Sequence, residues 1–344
     1  MGSALDEAIK ALNKKLGGDF IAKGLKVTEY KRHSLGIDAL DIAIGGGLPQ
    51  RKIMMVCGEF SAGKSTTAIT AVASIQKDGG QVAWLDTEGA FDCTWAQKFG
   101  VDVTKLIICR PQTVEDATDV LETLISSGEL DLIVLDSIAV MPSAKELEES
   151  AEQKSMGGIA KSLGLCMRKV IARLNDPRQN IKTSIILINQ LRDNVSGYGP
   201  KKYSPGGRQV HYQSDIIIWL KADSEPVGGK EAAQGITVNY KVIKNRTAPP
   251  LRFGTYNLMF TGYIDNKRAI VELAIIHGLI KKAGAIYTYI ENGETKKAKG
   301  INSLVSGLTE ELTASFKEQI LEEVAKGNFE TKPLSAEEEL AVIE

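Results

Sequence analysis

The chain has 344 residues, 43% hydrophobic and 25% charged, enough to bury one large core and a small second one, which excludes a disordered or fibrous protein. Its 42 basic and 43 acidic residues leave a formal net charge of -1, so an anionic partner must be met by a local patch and not by bulk charge. Cys57, Cys93, Cys109 and Cys166 form no C-x-x-C pair and no run approaches the roughly 18 apolar residues of a membrane span; a cytoplasmic protein with reduced thiols and no membrane partner is expected.

In chain order, "MGSALDEAIKALNKKL" predicts an amphipathic, charged helix over 4–16 that lacks an apolar signal core and ends at Gly17 and Gly18. Its apolar positions Ile9, Leu12 and Leu16 suit packing either on a neighbouring copy or within the chain. Apolar strands then alternate with helices: "KIMMVCG", "QVAWLDTEG", "KLIICR", "LDLIVLDS", "TSIILINQ", "SDIIIWLK" and "GITVNYKVIKN", with helices near 64–76, 114–126 and 156–174. Wholly apolar strands separated by helices indicate an α/β fold with a mostly parallel central sheet covered on both faces, and the two closely spaced last strands indicate an antiparallel extension. From about Tyr263 a helix, a glycine break, a short aromatic hairpin and more helix predict a small α+β C-terminal domain. The expected division is an N-terminal helix and linker (1–30), a core (31–262), the C-terminal domain (263–330) and an acidic tail (331–344).

"GEFSAGKST", comprising Gly58, Glu59, Phe60, Ser61, Ala62, Gly63, Lys64, Ser65 and Thr66, fits G-x-x-x-x-G-K-[ST] between a strand and a helix. Its glycines let backbone N–H groups curl around phosphate oxygens, the helix N-terminus adds positive potential, Lys64 neutralises the β and γ phosphates, and Ser65 ligands Mg²⁺. ATP with Mg²⁺ is therefore the expected cofactor. Asp136 ends the strand in "LDLIVLDS", at the carboxyl edge where a doubly wound sheet places its ligand, and should join Ser65 in the Mg²⁺ shell. "QVAWLDTEGAFD" ends a strand in Asp86 and Glu88, and Glu88 is the candidate base for the attacking water. Asp92 and Trp95, three apart on the next helix, offer an acceptor and a flat ring to a purine.

Together with "INQLRDN", "SPGGRQVHYQSD", "SMGGIAKSLGLCMRK", "NYKVIKNR" and "LIKKAGAIYTY", these motifs in this order resemble the RecA family of homologous recombinases, of bacterial or phage type, over most of the chain. The resemblance implies a RecA-like P-loop NTPase core and a DNA-dependent ATPase that polymerises on single-stranded DNA and exchanges it into a homologous duplex. It implies that Lys64, Ser65 and the 59–66 backbone bind the triphosphate, that Asp136 supports Mg²⁺, that Glu88 is the hydrolytic carboxylate, and that Asp92 and Trp95 contact the adenine. Gln190 matches the glutamine that touches the γ-phosphate. Lys244 and Arg246 match a basic pair reaching into the neighbouring subunit's nucleotide; the family more often has lysine at the second place, where Arg246 offers a planar fork.

By the same resemblance two loops bind DNA. The first, near 148–158, carries Met156 as an apolar wedge, and Lys161 and Arg168 follow on one face of the next helix as backbone contacts. Glu148, Glu149 and Glu152 make this loop acidic, so its amides and the following helix must carry the phosphate binding. The second, near 191–208, sets Arg192, Lys201, Lys202 and Arg208 against Asp193, and Tyr198 and Tyr203 supply rings for stacking on bases. Gly206 and Gly207, with Gly197, Gly199, Pro200 and Pro205, suit a segment that orders on the strand. A ring-forming helicase or other DNA-dependent ATPase on the same core is the alternative; a small-molecule kinase is disfavoured by the lack of an arginine-rich lid.

Overall fold

The computed structural model describes residues 4–22, 31–148, 158–193, 202–203 and 207–327, with only the backbone described for 192–193 and 202–203. Along the chain come α1 (Ala4–Leu16), β1 (Arg32–His33), α2 (Asp38–Ile44), β2 (Leu48–Pro49), β3 (Ile53–Gly58), α3 (Lys64–Lys77), β4 (Val82–Asp86), α4 (Cys93–Lys98) and β5 (Ile107–Cys109). There follow α5 (Val114–Ser126), β6 (Leu132–Asp136), α6 (Ala144–Glu148), α7 (Gly158–Leu174), β7 (Ser184–Gln190), β8 (Arg192–Asp193), β9 (Lys202–Tyr203), α8 (Gly207–Gln213) and β10 (Ile216–Ala222). The last elements are β11 (Gly235–Asn245), β12 (Phe253–Met259), β13 (Tyr263–Ile264), α9 (Asn266–Ile276), β14 (Lys281–Ala283), β15 (Ile286–Glu291), β16 (Glu294–Lys299), α10 (Ile301–Gly307) and α11 (Glu310–Ala325).

A nine-stranded sheet in the order β13-β12-β11-β10-β3-β7-β6-β4-β5 forms the core. The pairs from β10 through β3, β7, β6 and β4 to β5 are parallel, whereas β10–β11, β11–β12 and β12–β13 are antiparallel. Alternate residues of each central strand enter two apolar layers. Met54, Val56, Trp84 and Ile186 pack with α2 and α3, while Met55, Cys57, Leu85 and Leu187 pack with α5 and α7. Burial on both faces is why these strands read as unbroken apolar runs. Register brings the carboxyl ends level: Gly58 lies opposite Gln190, and Asp86 opposite Asp136.

Several elements depart from the sequence reading. "KLIICR" forms the outer strand β5, with Ile107 and Ile108 exposed, because the sheet ends there and only one edge is paired. β12 was not expected; Gly254 and Asn257 weaken its apolar signal, yet it pairs with β11 along Phe253–Met259, where Tyr256 donates to or accepts from Thr67 at 2.7 Å and Asn257 accepts from Thr237 at 2.9 Å. β10 runs parallel to β3, so the antiparallel extension begins one strand later, at β11. Tyr263–Ile264 pair with β12 in the large sheet, and the first apolar layer runs on into Tyr287, Phe316 and Ile320 of the C-terminal elements. Helix α1 spans the expected residues, buries none of them, and leaves Leu5, Leu12 and Leu16 exposed.

At the junction with the C-terminal elements, Lys317 of α11 bonds Asp38 of α2 at 2.7 Å. Near it, buried Asp41 accepts from Ser34 Oγ at 2.6 Å and from the Leu35 N–H at 2.9 Å. Burial pushes its carboxyl from 3.8 up to about 7. A folded pKa above the unfolded one means that the fold holds the extra proton, so this group's contribution falls as pH rises from about 4 to about 7. Asp41→Asn is expected to flatten the stability curve across that window, read as denaturation midpoints at pH 4.5 and 7.5; an unchanged slope would contradict this.

Candidate active site

The phosphate loop joins the end of β3 to the start of α3. Gly58 is obligatory here: a Cβ would lie 2.5 Å from the Leu220 carbonyl oxygen. Gly63, at φ 81, turns the backbone into α3. Buried Lys64 folds back so that Nζ donates to the Glu59 carbonyl at 2.6 Å. Its burial lowers the ammonium pKa, against the pull of Asp136, then Cys57 and Glu88. The Ser65 hydroxyl is hydrogen-bonded to the Asp136 carboxylate, whose pKa is raised to about 6, first by burial and then by Glu88 and Asp86. Two hard oxygen donors, one a carboxylate starved of solvent, fit Mg²⁺, and a cation there would offset the desolvation. Among the described residues no cluster of His, Cys, Asp or Glu competes as a metal centre.

Across the parallel strand ends the carboxylates divide the work. Asp86 is buried and accepts from the N–H groups of Ala90 at 3.0 Å and Phe91 at 3.3 Å, folding the turn after β4. That turn presents Glu88, whose Oε1 accepts from Ser137 Oγ at 2.5 Å and from Gln190 Nε2 at 2.8 Å. Gln190 is the last residue of β7, beside Gly58, and the next N–H, of Leu191, donates to the Gly58 carbonyl at 3.1 Å. Lys64, Ser65, Glu88, Asp136 and Gln190, distant in sequence, are thus gathered at one edge of the sheet, where a nucleoside triphosphate would meet a cation, a hydroxyl, a carboxylate and an amide.

Comparison with known proteins decides the family. The RecA N-terminal domain model matches residues 3–265. The chain belongs to the RecA family of recombinases. It is 33% identical to Protein RecA of Thermus aquaticus over 332 residues, 94% of this chain and 95% of that one. Against Protein RecA of Thermus thermophilus the identity is 32% over 328 residues, 93% and 94% of the two chains. Against that of Streptomyces venezuelae it is 34% over 290 residues, 83% and 75%. Membership makes the protein a DNA- and ATP-binding recombination and repair protein; no described helix is long and apolar enough to cross a membrane.

The remaining candidate residues of this RecA-family chain fall into three groups. Asp92 does not share a helical face with Trp95. It is the N-cap of α4, and its Oδ1 accepts from the N–H groups of Thr94 at 2.8 Å and Trp95 at 3.1 Å, because an aspartate just before a helix satisfies orphan donors first. Trp95 is half-buried, edge-on to Phe99 with its Nε1 donating to Thr66 Oγ1 at 3.2 Å, beside the phosphate loop. Phe260 is an exposed ring on the β12–β13 turn, and Gly262 of that turn is packed against the Lys98 backbone of α4.

Lys244 and Arg246 face the C-terminal end of α8. Lys244 Nζ donates to the carbonyls of His211 and Tyr212, both at 2.9 Å, and Arg246 donates to that of Tyr212 at 2.7 Å. Both cations therefore sit at the C-terminal end of α8, where orphan carbonyls gather. Burial, then Arg246, lowers Lys244 to about 8. Lys161 and Arg168 are both exposed on α7. Gly207, at φ 75, and exposed Arg208 open α8, and Gly207 lies against Ala160, so the helices following the two loops meet. Met156, Tyr198, Lys201 and Gly206 lie outside the described residues, as does 331–344; Arg192, Lys202 and Tyr203 are described in backbone only, as the pair β8–β9.

Proposed function

We propose that this recombinase forms a helical filament on single-stranded DNA and uses ATP binding and hydrolysis to control strand exchange with a homologous duplex, in the cytoplasm. The observation that carries the reading is the 2.8 Å bond from Gln190 to Glu88. It joins the carboxylate suited to activating water to the residue that leads out of β7 into the segment read as the second DNA loop. In this mechanism the 58–66 backbone cradles the triphosphate and Lys64 balances its charge. Mg²⁺, held by Ser65 and Asp136, would supply charge neutralisation at the phosphates. Glu88 orients the attacking water and takes its proton, and Gln190 exchanges its carboxylate partner for the γ-phosphate. Trp95, beside the phosphate loop, offers a flat surface for the base.

Lys244 and Arg246 complete a neighbour's nucleotide site in this reading, and their grip on the α8 carbonyls ties that contact to the second loop. Lys161, Arg168 and Arg208 contact the DNA backbone, while Met156 and the tyrosines Tyr198 and Tyr203 meet bases. The uncovered apolar stripe of α1 packs on the adjacent core. A closed helicase ring is the competing assembly. The deciding experiment is exchange between a circular single strand and a linear homologous duplex with ATP and Mg²⁺. Joint molecules and open filaments in electron micrographs are expected; no joint molecules at saturating protein, or closed rings on the strand, would overturn the proposal.

A further inference from the structure

We propose that Ser137 is a positioning residue for hydrolysis, the fixed post that holds Glu88 in line throughout the nucleotide cycle. This rests on the reading of Glu88 as the base. Ser137 is wholly buried just beyond β6, and its hydroxyl donates to Glu88 Oε1 at 2.5 Å. Its own backbone is held twice by one side chain: the Ser137 N–H donates to Thr87 Oγ1 at 2.8 Å, and Thr87 Oγ1 donates to the Ser137 carbonyl at 2.8 Å. The Thr87 N–H donates in turn to the Asp136 carbonyl at 2.9 Å. β4 and β6 are thereby locked together immediately past their last paired residues, and the serine hydroxyl is presented from a rigid point.

Glu88 needs such a point because it is exposed, on a turn, and has three side-chain torsions that water alone would leave free. Its second partner on the same oxygen, Gln190, cannot serve, since the proposed mechanism turns that amide to the γ-phosphate when ATP binds. Ser137 makes no such exchange. Anchored through Oε1, Glu88 offers Oε2 to the attacking water, and the proton passes from water oxygen to Oε2 as the new oxygen–phosphorus bond forms and the γ-phosphate leaves the β-phosphate oxygen. Holding a base within a few tenths of an ångström of the attack line is worth large factors in rate.

The test compares Ser137→Ala, Ser137→Cys and Glu88→Gln in the full chain. Ser137→Ala is expected to lower kcat for DNA-stimulated ATP hydrolysis about ten- to a hundredfold, the scale of a general base no longer held in place. The KM for ATP, and filament assembly on single-stranded DNA with a slowly hydrolysed ATP analogue, should stay within about twofold, since binding groups are untouched. Ser137→Cys, which keeps the size and a weak donor, should recover part of the rate. Unchanged kcat in Ser137→Ala would overturn the proposal while leaving Glu88 as base. Loss of filament assembly alongside turnover would make Ser137 a structural residue and overturn it equally. Full turnover in Glu88→Gln would remove the reading of the base, and the role of Ser137 with it.

Discussion

Lys64→Ala is expected to abolish ATP-dependent filament assembly and to cut ATP hydrolysis by on the order of 10² to 10³, the effect of removing one preorganised group that stabilises developing charge. The size follows from what surrounds the ammonium. Asp136, Glu88 and Glu59 all draw on its charge, and it is nine-tenths buried at the strand edge that gathers Asp86, Glu88 and Asp136. Without it a triphosphate would enter a pocket lined by carboxylates, where Coulomb repulsion is poorly screened. Lys64 also fixes the loop through its bond to the Glu59 carbonyl, so the phosphate-binding amides would lose their preset curvature. The fold should survive, because the ammonium bonds one loop carbonyl and the neighbouring layer is built by Met54, Val56 and α3. Nucleotide-dependent light scattering on single-stranded DNA, with a melting curve as control, checks this; wild-type assembly by a folded variant would refute the assignment of the loop.

The phosphate loop and the strands behind it were legible because each is a local pattern with one physical solution. An apolar run buried on both faces, then glycines and a lysine, then a helix, leaves little freedom. Asp92 was misplaced because spacing reports an angular position and not whether the helix has begun; the cap takes the residue before the face exists. The position of β5 was not legible because an outer strand keeps an apolar sequence, so nothing in its run marks the unpaired edge or the exposure of Ile107 and Ile108. β12 escaped because Asn257 and Gly254 pair with neighbours in space, Thr237 and Tyr240, that no window contains. The Ser137 contact was invisible for the same reason: a serine after a strand-ending aspartate says nothing until Thr87, brought across the sheet by the Asp86–Asp136 register, closes on it.

Described contacts hold the residues on both sides of the segment proposed as the second loop. α8 follows that loop, its C-terminal carbonyls are held by Lys244 and Arg246, and its start rests on α7 at Ala160. The loop departs from Gln190. One end thus begins at the edge proposed as catalytic and the other leads to the cations proposed to serve a neighbour, so in the proposed mechanism a shift at either phosphate contact bears on the same segment.

Gln190→Ala is therefore expected to separate ATP binding from DNA affinity. In the wild type, coupling between two sites is typically worth a 5- to 150-fold change in affinity, so ATP should tighten single-strand binding by about that factor. In the variant the dissociation constants with and without ATP should converge, while ATP itself still binds, because the phosphate loop, Ser65 and Asp136 are intact. Linkage requires the reciprocal result: DNA should cease to alter ATP affinity by the same factor. Loss of hydrolysis alone would not separate this role from the amide's hold on Glu88 at 2.8 Å, so the two affinities must be measured with an analogue that is not cleaved. Fluorescence anisotropy of a labelled single strand, titrated with and without that analogue, gives both numbers. A variant that retains the full ATP-dependent tightening would show that the signal leaves the nucleotide by another path, and the cations at the end of α8 would be the next to examine.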